Sequence, residues 1–247
     1  MLRRIDVITL FPDWVQSFRD LGLTGKAVSS GEVLLKVWNP REFTSDPHRS
    51  VDDRPYGGGP GMVMRPEPIA QAVEAAIADG ASQTVSYLSP QGQCFTQADA
   101  SDLASHRESL LLLCGRYEGV DERVIEEMVD EEWSVGDYVL SGGEPAALIL
   151  MDAVIRLLPG VLGHPQSAQN DSFSSGLLDY PHYTRPECWR ERSVPEVLLS
   201  GDHAKIEQWR QLQATSRTAQ RRPDLIENDA PSAEENIPSG SIHCLKG

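Results

Sequence analysis

Leu110-Leu111-Leu112-Leu113-Cys114 is an unbroken apolar run flanked by polar residues. A strand without polar alternation must be covered on both faces, so this one reads as central in a parallel sheet with helices on either side. Its neighbours agree. Ile5 to Phe11 is an apolar run stopped by Pro12, and Val33 to Trp38 is a second strand ended by Asn39-Pro40. Thr84 to Leu88 reads as a third strand and Tyr138-Val139-Leu140 as a last short one. Helical spacing covers Trp14 to Val28, Pro66 to Ala78, Gln97 to Ser105, Val120 to Val129 and Glu144 to Leu158. Strands alternating with helices predict an α/β fold with a mostly parallel sheet.

This first domain is expected over residues 1–162. Residues 163–175 are polar and aperiodic, as in a linker. Residues 176–230 hold Pro181, Pro186 and Pro195 and a helix from about His203 to Gln220, a small and mainly helical domain. Residues 231–247, rich in Ser, Glu, Pro and Gly, read as a disordered tail. No apolar run is long enough to span a membrane, and the N-terminus lacks a signal-peptide pattern. The cysteines Cys94, Cys114, Cys188 and Cys244 form no Cys-x-x-Cys pair, and the six histidines show no zinc-type spacing. Reduced thiols in a cytoplasmic protein are expected, with no residue assigned to a metal.

A formal net charge of −15 argues against a nucleic-acid partner. Its distribution softens the objection. Between Lys205 and Arg222 lie Lys205, Arg210, Arg217, Arg221 and Arg222 against Glu207 alone. Charge leaves open whether this is a polyanion-binding face or a solvated helix.

Three glycine-containing loops sit at the C-terminal ends of predicted strands: Ser89-Pro90-Gln91-Gly92, Gly115-Arg116-Tyr117-Glu118-Gly119 and Ser141-Gly142-Gly143-Glu144. Open α/β sheets bind ligands at that edge, and glycine lets the backbone approach them. None of the loops has a dinucleotide or P-loop pattern. Gly57 to Gly61 fits either an anion nest or a tight loop. Asp171, alone in the linker, has the spacing of a cap or turn residue. Arg156, late on an apolar helix, either reaches a site or snorkels.

Long motifs add a resemblance over nearly the whole chain. They are Ile-Thr-Leu-Phe-Pro at 8–12, Pro-Tyr-Gly-Gly-Gly-Pro-Gly-Met at 55–62 and Cys-Gly-Arg-Tyr-Glu-Gly-Val-Asp-Glu-Arg at 114–123. Further along come Ser-Val-Gly-Asp-Tyr-Val-Leu-Ser-Gly-Gly-Glu at 134–144, Leu-Leu-Asp-Tyr-Pro-His-Tyr-Thr-Arg-Pro at 177–186 and Arg-Arg-Pro-Asp-Leu at 221–225. In these the chain resembles the bacterial tRNA (guanine-N1-)-methyltransferases of the trefoil-knotted SPOUT class. The resemblance implies a knotted α/β domain that binds S-adenosylmethionine in a bent form. Carried over by motif, the cofactor-binding positions are Tyr87, Leu88, Ser89, Pro90, Gly115, Tyr117, Glu118, Gly119, Val135, Gly136, Asp137, Tyr138, Val139, Leu140, Gly142 and Gly143. It further implies a homodimer with active sites at the subunit interface, tRNA bound by its anticodon arm, and a need for magnesium. Asp171 becomes the general base and Arg156 its partner. The target is the guanosine 3′ of the anticodon.

The chemistry accords with those roles. N1 of guanine carries a proton and is a poor nucleophile until it is lost, so a base must lie within hydrogen-bond reach. An ordinary aspartate, with a pKa of about 3.9, is a weak base, and a cation facing O6 would stabilise the developing charge. Two departures stand out. Pro145 follows Glu144 directly where the family usually has Leu-Pro, which is expected to disturb the start of that helix. The residues after Glu227 match no family motif. Two other readings are a tRNA-binding module without catalysis and a related enzyme acting on ribose or another base.

Overall fold

The computed structural model describes residues 1–162 and 171–227. It forms two compact units, Met1–Gln169 and Asn170–Gly247. The tail expected at 231–247 and most of the expected linker lie outside the described residues.

The first unit runs β1 (Arg4–Ile8), α1 (Pro12–Ser17), α2 (Gly22–Ser29), β2 (Leu34–Trp38), β3 (Asp52–Asp53), β4 (Val63–Met64) and α3 (Pro66–Ala78). It continues through β5 (Val85–Cys94), α4 (Gln97–His106), β6 (Ser109–Cys114), α5 (Glu122–Met128), β7 (Glu131–Ser134) and α6 (Glu144–Ile155). The main sheet has the order β2-β1-β6-β5-β7, and every neighbouring pair is parallel. The leucine run is β6, at its centre. Leu110, Leu112 and Cys114 share a core with Ala100 and Leu103 of α4 and with Ala147, Leu150 and Val154 of α6. Leu111 and Leu113 point the other way, into a core with Ile69, Ala72 and Val73 of α3 and Val124 of α5. The period of two along a strand places both sets, and helices close both faces.

The N-terminal edge of the sheet is pinned by ion pairs. Buried Asp6 accepts from Arg4 Nε (2.6 Å) and from Trp38 Nε1 (2.8 Å). Asp79, bonded by Lys36 and Arg4, is held below the usual carboxylate range. The opposite edge is left to the glycine loops.

Three local expectations need correction. The helix expected over Trp14 to Val28 is split, because Leu21 is extended and Gly22 has a φ of 64°. The last strand is Glu131–Ser134, not Tyr138–Leu140, which are exposed and irregular. An edge strand can carry a half-buried acid when that acid is partnered, as Glu131 is. Glu131 accepts from Ser86 Oγ (2.6 Å) and Arg107 Nη2 (2.9 Å). Third, Ser89 to Gly92 is not a turn ending a strand. β5 continues to Cys94, and its register with β7 slips there, so that Leu88 and Gln93 both pair with Trp133. The intervening residues bulge outward. Pro145 occupies the first turn of α6, where its missing N–H is not needed, so the helix starts cleanly at Glu144.

The second unit contains the hairpin β8 (Cys188–Trp189) and β9 (Arg192–Ser193), then α7 (Glu196–Leu199), α8 (His203–Arg221) and α9 (Asp224–Glu227). Asp202 caps α8 by accepting from Lys205 N (3.2 Å). Among the described residues of this unit only Ala214 and Thr218 are buried. Thr218 Oγ1 donates to Ala214 O (2.7 Å) and accepts from Leu178 N (2.9 Å), tying the segment after Gly176 to the helix.

Candidate active site

The C-terminal edge of the sheet opens into a cleft of about 260 Å³. That is several times the roughly 30 Å³ one water occupies in the liquid, enough for a small organic ligand. Three chain segments build it. The β5 bulge supplies Tyr87, Leu88, Ser89, Pro90 and Gln91. The turn after β6 supplies Gly115, Arg116, Tyr117, Glu118 and Gly119. The stretch from Trp133 to Ala146 supplies the third wall, including Val135, Gly136, Tyr138, Val139, Leu140, Gly142 and Gly143.

Backbone contact holds the second and third segments together. Gly143 N donates to Gly115 O (2.9 Å), and Arg116 pairs with Gly142 as an antiparallel bridge. A methyl group on Gly143 would come within 2.8 Å of Cys114 Cα, and one on Gly115 within 2.7 Å of the Tyr87 hydroxyl. Glycine is required at both because neighbouring atoms fill the space. Tyr117 has a φ of 60°, an unusual conformation for a bulky residue and one concentrated at ligand sites. Burial raises the Tyr87 hydroxyl above its ordinary pKa, so it stays a neutral group of the cleft wall.

Below the cleft lies a charge pair that sequence reasoning did not single out. Arg116 Nε donates to Glu144 Oε2 (2.8 Å) and Nη1 to Ser141 O (3.0 Å). Thr9 Oγ1 donates to the other carboxylate oxygen of Glu144 (2.7 Å). Glu144 is fully buried, and the Arg116 side chain is 13% exposed. The guanidinium also sits 4.3 Å from the centroid of the Phe11 ring. A cation within the glycine loop and an acid straight after Gly-Gly were the available signals.

The structure thus gathers every cofactor position carried over by motif except Asp137, which is exposed and outside the lining. Gln91, Arg116, Trp133, Ser134 and Ala146 join them without having been assigned. Arg156 is half-buried as the C-cap of α6, in the first unit. Asp171 is half-buried in the second unit, where its carbonyl accepts from Ser174 N (3.2 Å). Gly57, Gly58 and Gly59 all have positive φ, without the alternation that makes an anion nest. Their need for glycine is conformational.

A family profile described as tRNA (Guanine-1)-methyltransferase TrmD matches residues 3–228. The chain belongs to this family. Its relatives include proteins named tRNA (guanine-N(1)-)-methyltransferase from three bacteria. One from Pseudoalteromonas atlantica is 59% identical over 94% of this chain and 88% of its own length. One from Pseudomonas putida strain W619 is 57% identical over 94% and 93%. One from Shewanella sediminis is 56% identical over 94% and 96%. The match ends at the border of the acidic tail, so residues 229–247 lie outside the family profile.

Proposed function

We propose that this chain methylates N1 of the guanosine 3′-adjacent to the tRNA anticodon, with S-adenosylmethionine as donor. The products are 1-methylguanosine and S-adenosylhomocysteine. The observation that carries the reading is that one cleft gathers all but one of the cofactor positions carried over by motif. Its walls fit the donor chemically. Gly115 and Gly143 keep side chains out of the wall so that a flat ring can approach the backbone, and Tyr117, Tyr138, Val139 and Leu140 offer apolar cover. When bound, the sulfonium supplies an activated methyl group, so the protein needs no covalent intermediate. Its contribution is placement and charge stabilisation.

Asp171 takes the proton from N1, and Arg156 faces O6 to stabilise the negative charge that develops there. The magnesium requirement that the family implies finds no cage. Among the described residues no group of three or more His, Cys, Asp or Glu could hold a metal ion.

The reading includes a knotted first domain. Its support is the return of the chain before α6, hydrogen-bonded to the turn after β6. It also includes a homodimer. Phe11, Trp14, Leu21, Leu23 and Ile149 are exposed large apolar residues on α1, α2, their flanks and α6, which pack together. Exposed apolar residues on neighbouring elements suit a subunit contact. The enzyme works in the cytoplasm, on tRNA held at the anticodon arm by the basic face of α8. No helix among the described residues is long and apolar enough to cross a membrane.

The test uses labelled S-adenosylmethionine and tRNA transcripts with guanosine or adenosine beside the anticodon. Transfer to the guanosine transcript alone is expected, with near-abolition in Asp171→Ala. Equal labelling of both transcripts defeats the substrate, and unchanged turnover in the variant defeats the base.

A further inference from the structure

The β8–β9 hairpin has no part in the chemistry above, and nothing about it serves a core. Cys188 pairs with Ser193 and Trp189 with Arg192, leaving Arg190-Glu191 as a two-residue turn. Both turn residues have positive φ, 49° and 64°. Turns of this kind favour Asn and Gly, because other side chains strain the left-handed region. Here two full side chains are held there, and strain of this sort collects at binding sites. Trp189 is 59% exposed, the most exposed of the described tryptophans that stand open to solvent. The Arg190 guanidinium covers its ring at 4.7 Å from the centroid.

The surroundings oppose a polyanion far less than those of the first unit. Residues 1–162 carry 13 Lys and Arg against 25 Asp and Glu. Residues 171–227 carry 8 against 9, so the field that repels phosphate is nearly cancelled there. Arg190 and Arg192 flank the indole, and Arg185 precedes the hairpin. A largely exposed indole with a guanidinium over one side of its ring is an arrangement that can take an unpaired base of a single-stranded segment on the other side. Stacking holds the base and the cations hold its phosphates. A base inside a duplex could not present its face.

We propose that this hairpin is a stacking platform for one unpaired nucleotide of the RNA substrate, with Trp189 under the base and Arg190 and Arg192 at the adjoining phosphates. The proposal rests on the tRNA reading above.

The experiment uses the full chain as wild type, Trp189→Ala, Trp189→Phe and Arg192→Gln. The dissociation constant for a tRNA transcript is measured at several salt concentrations, alongside S-adenosylmethionine affinity and sedimentation. Trp189→Ala is expected to weaken RNA binding about ten-fold, the loss of one base–aromatic stack, at an unchanged salt slope. Trp189→Phe retains most of the affinity. Arg192→Gln lowers the magnitude of the slope of log affinity against log salt by about one. Donor affinity and sedimentation stay at wild-type values throughout. Trp189→Ala binding within two-fold of wild type overturns the platform. A changed sedimentation does so too, since it would make the hairpin a subunit contact. If the wild type does not bind tRNA at all, the tRNA reading falls and the platform with it.

Discussion

The two units solve opposite problems. The first buries two apolar layers against a five-stranded parallel sheet and is strongly acidic. The second buries two residues among those described and, over residues 171–227, is almost balanced in charge. A rigid, doubly covered sheet can hold main-chain groups in place for a small donor, and its acidity matters little there. A polyanion needs the reverse: accessible cations on elements with little core to disturb. Strongly packed parts of a structure resist substitution, and thinly packed ones are adjustable.

That contrast can be broken in the first unit at the Arg116–Glu144 pair. Glu144→Ala leaves a guanidinium with little solvent access and without its carboxylate, and is expected to cost about 3–5 kcal/mol. Urea unfolding measures it, and a loss below about 1 kcal/mol would mean the pair does not brace the cleft. Gly143→Ala comes next. The added methyl meets backbone of Cys114, which cannot swing aside, so a loss of about 1–3 kcal/mol is expected, with donor binding abolished. Calorimetric titration with S-adenosylhomocysteine tests the second part, and tight binding would show that the two loops can separate freely.

The Cys114 thiol sharpens the contrast by pH. Burial foremost, and then Glu144, push it well above its ordinary value near 9. In the unfolded chain the thiol ionises near pH 9, while in the fold it stays protonated. The unfolded state therefore binds fewer protons above that pH, and stability falls as pH rises. Urea midpoints from pH 7 to 10 should decline above about 9, and Cys114→Ser should flatten the decline. Exposed Cys94 and Cys188 should alkylate in the native protein, whereas Cys114 should react only after unfolding. A native-state reaction at Cys114 would refute its sealed position.

The smallest effects belong to the second unit. Leu212→Ala on exposed α8 should change stability by no more than about 0.5 kcal/mol. Arg221→Gln should leave folding unaltered and reduce the salt slope of tRNA binding by about one. A destabilisation of about 2 kcal/mol from Leu212→Ala would show that α8 is packed by something in solution.

Local signals carried far in this chain. The leucine run announced the central strand because strand faces alternate with period two and both sides were apolar. Pro12, Pro40 and Gly115 marked the ends of β1, β2 and β6, since they act through their own backbone angles, whereas Pro90 and Gly92 lie within β5. The glycine loops foretold a cleft at the C-terminal edge, and motif resemblance named most, not all, of the residues that line it. Tertiary structure alone decided the rest. The Glu131–Ser134 strand was hidden by its acids, and Ser86 and Arg107, which partner Glu131, are remote in sequence. The slip that bulges Ser89 to Gly92 depends on the neighbouring strand, not on those residues. The Thr9–Glu144–Arg116 network joins positions up to 135 residues apart. No periodicity reports such contacts, because which polar groups meet once buried is fixed by how the layers close over them.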